Sequence, residues 1–133
     1  MEKQFINPPE LAEPRGFNHG ILVTEGRLLF LAGQDATGKN GRIIGPGDLL
    51  LQYEEILRHF QLVVTQAGGQ MTDIVKLNIF VKDRDNYVDK LRDLGAIHRR
   101  YFGNYYPTMA LFEVNKFFQN EALIELEGMA VIP

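Results

Sequence analysis

The clearest structural signal in the chain lies in residues 48–82, which read DLLLQYEEILRHFQLVVTQAGGQMTDIVKLNIFVK. Asp48 is typical of a helix N-cap, because its carboxylate can accept the unpaired amide hydrogens of a first helical turn. Behind it the apolar residues follow the i, i+4, i+7, i+8 stripe of an amphipathic helix: Leu49, Tyr53, Ile56, Leu57, Phe60, Val63, Val64 and Ala67. Gly68 and Gly69 predict the end of this helix, since glycine tolerates the left-handed backbone that follows many helices.

The next two elements are predicted from their periodicity. Residues 74–82 alternate between apolar and polar side chains, which predicts a half-covered strand with one buried face. The residues expected on that face are Val75, Leu77, Ile79 and Val81. Residues 86–102 return to helical spacing, with Tyr87, Leu91, Leu94, His98 and Tyr101 on one stripe and Gly103 at the end.

Outside this central part the chain predicts strands and loops. Residues 1–16 contain three prolines and are expected to be irregular. Residues 21–24 and 27–32 read as strands that form a hairpin around Glu25-Gly26. The glycine-rich residues 33–48 form a long loop, and long loops in compact domains are often functional.

After Pro107, residues 108–114 and 122–132 read as the two closing strands, which gives the order ββαβαββ. This order predicts an α+β fold in which two helices pack on one face of a mixed sheet. The last strand is apolar on both sides, so we expect the uncovered sheet face to need a partner subunit.

Size and composition indicate an ordinary globular protein. The 133 residues fit one domain spanning residues 1–133. The formal net charge of -3 disfavours nucleic-acid binding, since proteins that coat nucleic acid are usually basic. The chain has no cysteine, which excludes disulfides and thiolate catalysis. It has neither a signal-peptide pattern nor an apolar run of membrane-spanning length, so we expect a cytoplasmic protein without membrane contact.

Few groups in the chain are candidates for catalysis or metal binding. A Ser-His-Asp arrangement is impossible because the sequence contains no serine. His19, His59 and His98 lack the spacing of metal ligands, so we expect solvated or core histidines, with a metal site built from scattered ligands as the alternative. Residues 45–48, Gly-Pro-Gly-Asp, predict a turn and a helix cap rather than an anion site, because Asp48 brings its own negative charge.

Two carboxylates on the last strand are the strongest chemical signal. Glu125 and Glu127 stand at i and i+2, on one side of the strand, among the apolar residues Leu123, Met129 and Val131. A carboxylate in apolar surroundings tends to hold its proton, which suits general acid–base catalysis. The alternative is that both acids lie on a solvated edge or pair with lysines.

Several short motifs, taken in order and with their spacing, are similar to those of a known family. They are LAGQ at 31–34, QAGG at 66–69, DIVK at 73–76, IFVKD at 79–83, YF at 101–102, YP at 106–107, EV at 113–114 and IELEGMA at 124–130. Together they resemble the Rid family (reactive intermediate deaminase, also called YjgF-like) over residues 17–132. The resemblance implies a chorismate-mutase-like fold and a homotrimer with ligand sites in clefts between subunits. It also implies hydrolysis of enamines and imines, such as 2-aminoacrylate, without cofactor or metal.

The resemblance also assigns residues to the catalytic part of the site. In the family, a glutamate on the last strand positions water and moves protons, and here that residue is Glu125. The backbone that lines the site corresponds to Ala32 and Gly33.

At three polar positions the chain departs from the family pattern. The arginine that clamps the substrate carboxylate belongs two residues after the proline of the Tyr-Pro pair, where this chain has Met109. The tyrosine near the N-terminus corresponds to Phe17, and the asparagine of the second helix corresponds to Gly95. Leu111 is expected to line the same cleft as Met109.

The function that we expect follows from these three departures. We expect a deaminase-like hydrolase that acts on a small molecule less acidic than an amino-acid imine, in an intersubunit cleft. The alternative is a non-catalytic ligand-binding or regulatory trimer. A third possibility, ribonuclease activity, is disfavoured by the acidic charge and by the lack of a basic stripe.

Overall fold

The computed structural model describes residues 2–133 as a mixed α+β fold. The elements are β1 (Lys3–Ile6), β2 (Gly20–Val23), β3 (Arg27–Gln34), α1 (Leu49–Gln66), a 3-10 turn (Met71–Asp73), β4 (Ile74–Val81), α2 (Arg84–Asp89), α3 (Leu91–Phe102), β5 (Thr108–Glu113) and β6 (Ile124–Ile132). The main sheet has the strand order β3-β6-β4-β5, and β1 pairs with β2 in a separate ribbon. β6 runs antiparallel to both of its neighbours, whereas β4 and β5 are parallel. The predicted α+β class with a mixed sheet is confirmed.

Helix α1 forms the centre of the core. The Asp48 side chain accepts a hydrogen bond from the Leu51 amide at 3.0 Å, so the predicted cap is confirmed. The helix ends before Gly68, whose φ of 86° is the left-handed conformation that glycine tolerates. Ile56, Leu57 and Phe60 are fully buried against the sheet. Burial of each such side chain contributes about 1.5–3 kcal/mol to folding.

Buried Gln52 ties two loops to this helix. Its side-chain amide donates to the carbonyl oxygens of Gly45 and Glu121, at 2.9 and 3.1 Å. Its side-chain oxygen accepts from the Leu123 amide at 2.8 Å. Since every hydrogen-bonding group of this buried amide has a partner, the start of β6 is held in a fixed position.

Strand β4 is present, but its buried face differs at one end from the prediction. Ile74 is fully buried whereas Val75 is only half-buried, because the pairing with β6 shifts register between Ile74 and Lys76. From Leu77 onward the predicted alternation holds. Gly128 lies opposite this shift, where a Cβ atom would stand 2.0 Å from the Lys76 carbonyl oxygen. The two strands can therefore approach this closely only with glycine at position 128.

The predicted hairpin of residues 21–24 and 27–32 is wrong. Strand β2 pairs with β1, and β3 pairs with β6. The segment predicted to be irregular supplies β1 at Lys3–Ile6, ahead of the first prolines. The turn at Glu25-Gly26 redirects the chain. Strand β3 pairs with the nine-residue β6, which is a longer apolar strand than the four-residue β2.

The predicted helix at 86–102 is divided into two. Helix α2 begins earlier, at Arg84, with the Asp83 side chain accepting from two amides of the first turn. Lys90 leaves the helical conformation, with φ −109° and ψ 15°, and α3 then continues to Phe102. Because this break rotates the stripe, Ile97 and Phe102 are buried in α3 while Leu91 is exposed.

The helices cover one face of the sheet and leave the other face open. Along β3, β5 and β6 the open face carries Leu28, Phe30, Phe112 and Met129, which are all exposed. Phe30 is 71% exposed, an unusual position for a large apolar side chain. No helix within residues 2–133 has the length and apolar character needed to span a membrane.

Candidate functional site

Glu125 lies on the open face of the sheet, beside Phe80 of the neighbouring strand. Its carboxyl group is half-buried. Burial raises the pKa of Glu125 above its ordinary value, and the nearby carboxylates of Asp35 and Glu127 raise that pKa further. The carboxylate accepts no hydrogen bond from other described side chains or amides. A half-buried acid with a raised pKa and free lone pairs can accept a proton and return it.

The backbone at Gly33 lies directly against this carboxylate. Leu31 pairs with Gly128 and Gln34 pairs with Leu126, so two residues of β3 oppose the single residue Glu127. This β-bulge turns Gly33 towards Glu125, and a Cβ atom at Gly33 would stand 2.7 Å from Glu125 Oε2. Bulges are common beside active sites because they redirect the strand locally. Of the residues predicted from the sequence, Glu125 and Gly33 therefore lie close together in one chain, and Ala32 precedes Gly33 on the same bulge.

The second acid of the strand has a different environment. Glu127 is also on the open face, where its carboxylate lies 3.4 Å from the Asn78 side-chain amide. The two acids thus differ in that Glu127 has a side-chain donor and Glu125 does not.

Met109 lies on the opposite face of the sheet from Glu125. It pairs with Leu77 in the parallel ladder, and both side chains point towards the helices. Leu111 pairs with Ile79 on the same face, but its side chain is 39% exposed at the sheet edge. Within one chain the sheet therefore separates Met109 from Glu125. A site that contains both residues requires two copies of the chain.

A half-open cavity of about 210 Å³ adjoins Met109 between the sheet and the helices. Ile79, Leu94 and Met109 supply apolar wall, and Gly95 borders the cavity. Its aromatic lining, which the sequence analysis did not assign to the site, consists of Tyr53, Tyr87, His98 and Tyr106. Tyr53 and Tyr87 fall on the apolar stripes of helices, where an aromatic residue is equally typical of core packing, so periodicity alone does not reveal them.

His98 forms one wall of the cavity as a neutral ring. Its Nε2 lies 2.9 Å from the Tyr105 carbonyl oxygen, and the ring stacks between Phe102 and Tyr106 at 4.4 and 4.6 Å. Burial lowers the pKa of His98 below its ordinary value. The prediction of a core histidine is confirmed here.

Two residues of the N-terminal segment lie near the cavity. Arg15 is exposed at its mouth. Phe17 lines a shallow neighbouring pocket that shares Gly16 and Tyr106 with the cavity, and its ring meets His19 edge-on at 5.1 Å. Phe17 is therefore on the Met109 side of the sheet, away from Glu125.

A metal centre is not assembled by the described part of the chain. Residues 2–133 contain no group of three or more His, Cys, Asp or Glu side chains placed to hold a metal ion. Of the other histidines, His19 Nε2 lies 2.7 Å from the Ala12 carbonyl oxygen, and His59 Nε2 lies 3.3 Å from Glu55.

Comparison with known proteins gives consistent matches over nearly the full chain. The family model described as endoribonuclease L-PSP matches residues 10–132. A RutC family protein from Pyrococcus abyssi is 26% identical over 131 residues, which cover 98% of each chain. A 2-iminobutanoate/2-iminopropanoate deaminase from Dermatophagoides farinae is 23% identical over 130 residues, covering 98% of this chain and 97% of the deaminase. The crystal structure of YyfB, a conserved Rid protein of unknown function from Yersinia pestis, superposes with a TM-score of 0.85 at 31% identity, covering 99% of this chain and 100% of YyfB.

Proposed function

Because the chain belongs to the endoribonuclease L-PSP family, to which the RutC and Rid proteins are related, we propose that it is a deaminase-like hydrolase of enamines and imines. The observation that carries this proposal is the half-buried Glu125 carboxylate, with its raised pKa, against the bulge at Ala32-Gly33. A relative named as an imine deaminase supports the reaction class.

The proposed reaction adds water across a C=N bond. Glu125 accepts a proton from the attacking water while the new C–O bond forms at the imine carbon. The nitrogen takes up this proton, which gives a carbinolamine. Glu125 then accepts the proton of the carbinolamine hydroxyl group and passes it to the nitrogen as the C–N bond breaks and the C=O bond forms, so the imine and one water become a carbonyl compound and ammonia. The raised pKa suits both steps, since an acid–base group is most effective when its pKa lies near the working pH.

The proposed site is shared between two subunits. Glu125 and the backbone of Ala32-Gly33 come from the open face of one subunit, and Met109 with its cavity comes from the next. Head-to-tail contacts form a ring when the rotation between neighbouring subunits closes, and the exposed apolar face of the sheet supplies a surface for the contact. We propose a homotrimer on this basis together with the family resemblance.

The proposed substrate is less acidic than an amino-acid imine. An arginine at position 109 would offer two donors to a carboxylate, whereas methionine offers none. Phe17 likewise lacks the hydroxyl group of a tyrosine. The reaction chemistry at Glu125 does not depend on these positions, so the substitution changes which imine is bound rather than how it is hydrolysed.

Ammonia release tests the proposal directly. Imines and enamines of carboxylic acids, amides and simple ketones are generated in situ, and ammonia is measured with the unmodified protein and with Glu125→Gln. We expect faster release from at least one uncharged substrate, with the acceleration lost in the variant. Release at the spontaneous rate for every substrate, combined with measurable ligand binding, would instead support a non-catalytic ligand-binding trimer.

A further inference from the structure

The cavity beside Met109 contains a hydroxyl donor without a protein partner. Tyr53 is only 4% exposed, yet no hydrogen bond involving its hydroxyl group is formed within residues 2–133. The hydroxyl oxygen of Tyr53 is not fully enclosed by protein atoms, so it is open to whatever occupies the cavity. A molecule bound in the cavity can therefore accept a hydrogen bond from it.

The surroundings of this hydroxyl group favour an uncharged partner. Ile79, Leu94 and Met109 are apolar, and the buried ring of His98 is neutral. The charged residue on the lining, Arg15, is exposed at the mouth. A carboxylate at the Tyr53 hydroxyl would lose its hydration, and no buried cation lies beside it to compensate for that loss of free energy. An uncharged carbonyl oxygen loses less hydration free energy on entering the cavity.

The size and shape of the cavity favour a flat, apolar group. An apolar cavity of about 150 Å³ can hold a benzene molecule, so the 210 Å³ found here has room for a ring with one polar substituent. Tyr87, His98 and Tyr106 supply flat faces against which such a group can pack.

We propose that this cavity binds an uncharged, planar apolar group that ends in a carbonyl oxygen, and that the Tyr53 hydroxyl donates a hydrogen bond to that oxygen. This inference rests on the proposed function in one respect, that the cavity is the subsite for the non-reacting part of the imine substrate. Tyr53 is then the residue that determines specificity, in a chain where position 109 offers no donor.

Calorimetric titration with benzamide and benzoate tests the proposal, because these probes have nearly the same shape and differ in charge. We expect benzamide to bind at least about tenfold more tightly than benzoate. Tyr53→Phe should weaken benzamide binding by about 3- to 10-fold, the effect of one neutral hydrogen bond. Tyr101→Phe is the matched control, since the Tyr101 hydroxyl lies 3.3 Å from Glu54, away from the cavity, and this variant should bind benzamide as the unmodified protein does.

Thermal unfolding without ligand separates this binding role from a structural one. Tyr53→Phe should keep the Tm of the unmodified protein, because it removes a hydroxyl group that has no protein partner. A clear drop in Tm would indicate a structural bond and would contradict the proposal. Tighter binding of benzoate than benzamide, lost in Arg15→Gln, would identify an anion site and overturn it, as would the absence of benzamide binding or an unchanged affinity in Tyr53→Phe.

The binding result and the hydrolysis result are independent. If benzamide binds through Tyr53 but no imine is hydrolysed, the proposed function fails and the binding subsite stands. If imines are hydrolysed but benzamide does not bind, only the subsite is wrong.

Discussion

Among single residues, Glu125 is held in surroundings that favour its protonated form. Burial is the main cause, and the carboxylates of Asp35 and Glu127 add repulsion. The ionised form of Glu125 therefore opposes folding while serving the proposed chemistry. Unfavourable interactions of this kind are typical of functional sites, where residues that serve activity can reduce the stability of the fold.

Replacing Glu125 by glutamine is expected to affect activity and stability in opposite directions. Glu125→Gln should lower any hydrolase activity by about 10²–10⁴-fold, the usual contribution of general acid–base catalysis. At neutral pH its Tm should equal or exceed that of the unmodified protein, because an unfavourable charge is removed. Hydrolysis rates and thermal unfolding of the two proteins measure both effects.

The stability difference between Glu125→Gln and the unmodified protein depends on pH in a direction set by the raised pKa of Glu125. The folded protein binds the Glu125 proton more tightly than the unfolded chain does, so ionisation destabilises the fold above the raised pKa. The advantage of Glu125→Gln should therefore fade as the pH falls through the raised pKa towards the ordinary value of 4.5. A variant that is less stable than the unmodified protein at neutral pH would contradict this account of the Glu125 environment.

Met109 is expected to limit the use of amino-acid imines. Two charge-assisted hydrogen bonds of about 1.5–3 kcal/mol each are missing, a loss of about 10²–10⁴-fold in binding. We expect little hydrolysis of 2-aminoacrylate, and Met109→Arg should restore it only weakly, because Phe17 still lacks a hydroxyl group. The assay generates the imine with an amino-acid oxidase and follows its trapping by semicarbazide. Rapid turnover by the unmodified protein would mean that another cation, such as Arg15 at the cavity mouth, binds the carboxylate.

Among the helices and strands, the elements that depend on local sequence were predictable, whereas the pairing between strands was not. Helix α1 follows from its own stripe and caps, with Asp48 and Gly68 in the expected roles. The pairing of β2 with β1 depends on which distant strand offers the better edge, which no short stretch of sequence reveals. The break at Lys90 involves neither proline nor glycine, so the residue type gives no warning of it.

The candidate site, like the helices and strands, could be predicted only in part. The proximity of Glu125 and Gly33 was predictable because short motifs contain both residues. Tyr53 was not predicted to line a cavity, because a tyrosine on the apolar stripe of a helix is ordinarily a core residue, and only the three-dimensional structure shows that its hydroxyl group has no protein partner among residues 2–133. That Met109 and Glu125 point to opposite faces follows from the strand pairing, which the sequence does not specify.

The contact between β4 and β6 gives a prediction about stability. Gly128→Ala would place a Cβ atom 2.0 Å from the Lys76 carbonyl oxygen, which is backbone and cannot move aside without shifting the strand. We expect a loss of about 1–3 kcal/mol in the free energy of unfolding, the typical cost of overpacking. Urea-induced unfolding measures this loss.

Gly33→Ala is the matched control for that variant. Its Cβ atom would meet the flexible end of the Glu125 side chain, 2.7 Å away, rather than backbone. This variant should unfold at nearly the same urea concentration as the unmodified protein but should lose activity, because the carboxylate is displaced. Equal stability of Gly128→Ala and Gly33→Ala would show that the two strands tolerate separation at Gly128.

For the assembled protein, the open sheet face together with the family resemblance predicts a homotrimer. Covering the exposed Leu28, Phe30, Phe112 and Met129 should bury well over about 1,000 Å² in total, the scale of a stable interface. Light scattering at micromolar concentration should give about three times the chain mass of 15.2 kDa. A mass near that of one chain would rule out the shared site.

Replacement of Phe30 by aspartate tests whether this face forms the contact. A charge at the most exposed apolar position of the face cannot be buried without a large desolvation cost. Phe30→Asp should therefore reduce the mass measured by light scattering, while circular dichroism keeps the spectrum of a folded protein.

Chemical crosslinking measures whether Glu125 of one subunit lies against Met109 of the next, as the proposed shared site requires. The chain has no cysteine, so a Met109→Cys, Glu125→Cys double variant carries the two introduced thiols alone. A short bismaleimide should join the subunits into covalent dimers and trimers on a denaturing gel, since the sheet separates the two positions within one chain. Each single variant should remain monomeric on the same gel. A double variant that stays monomeric after complete thiol modification would contradict the shared site.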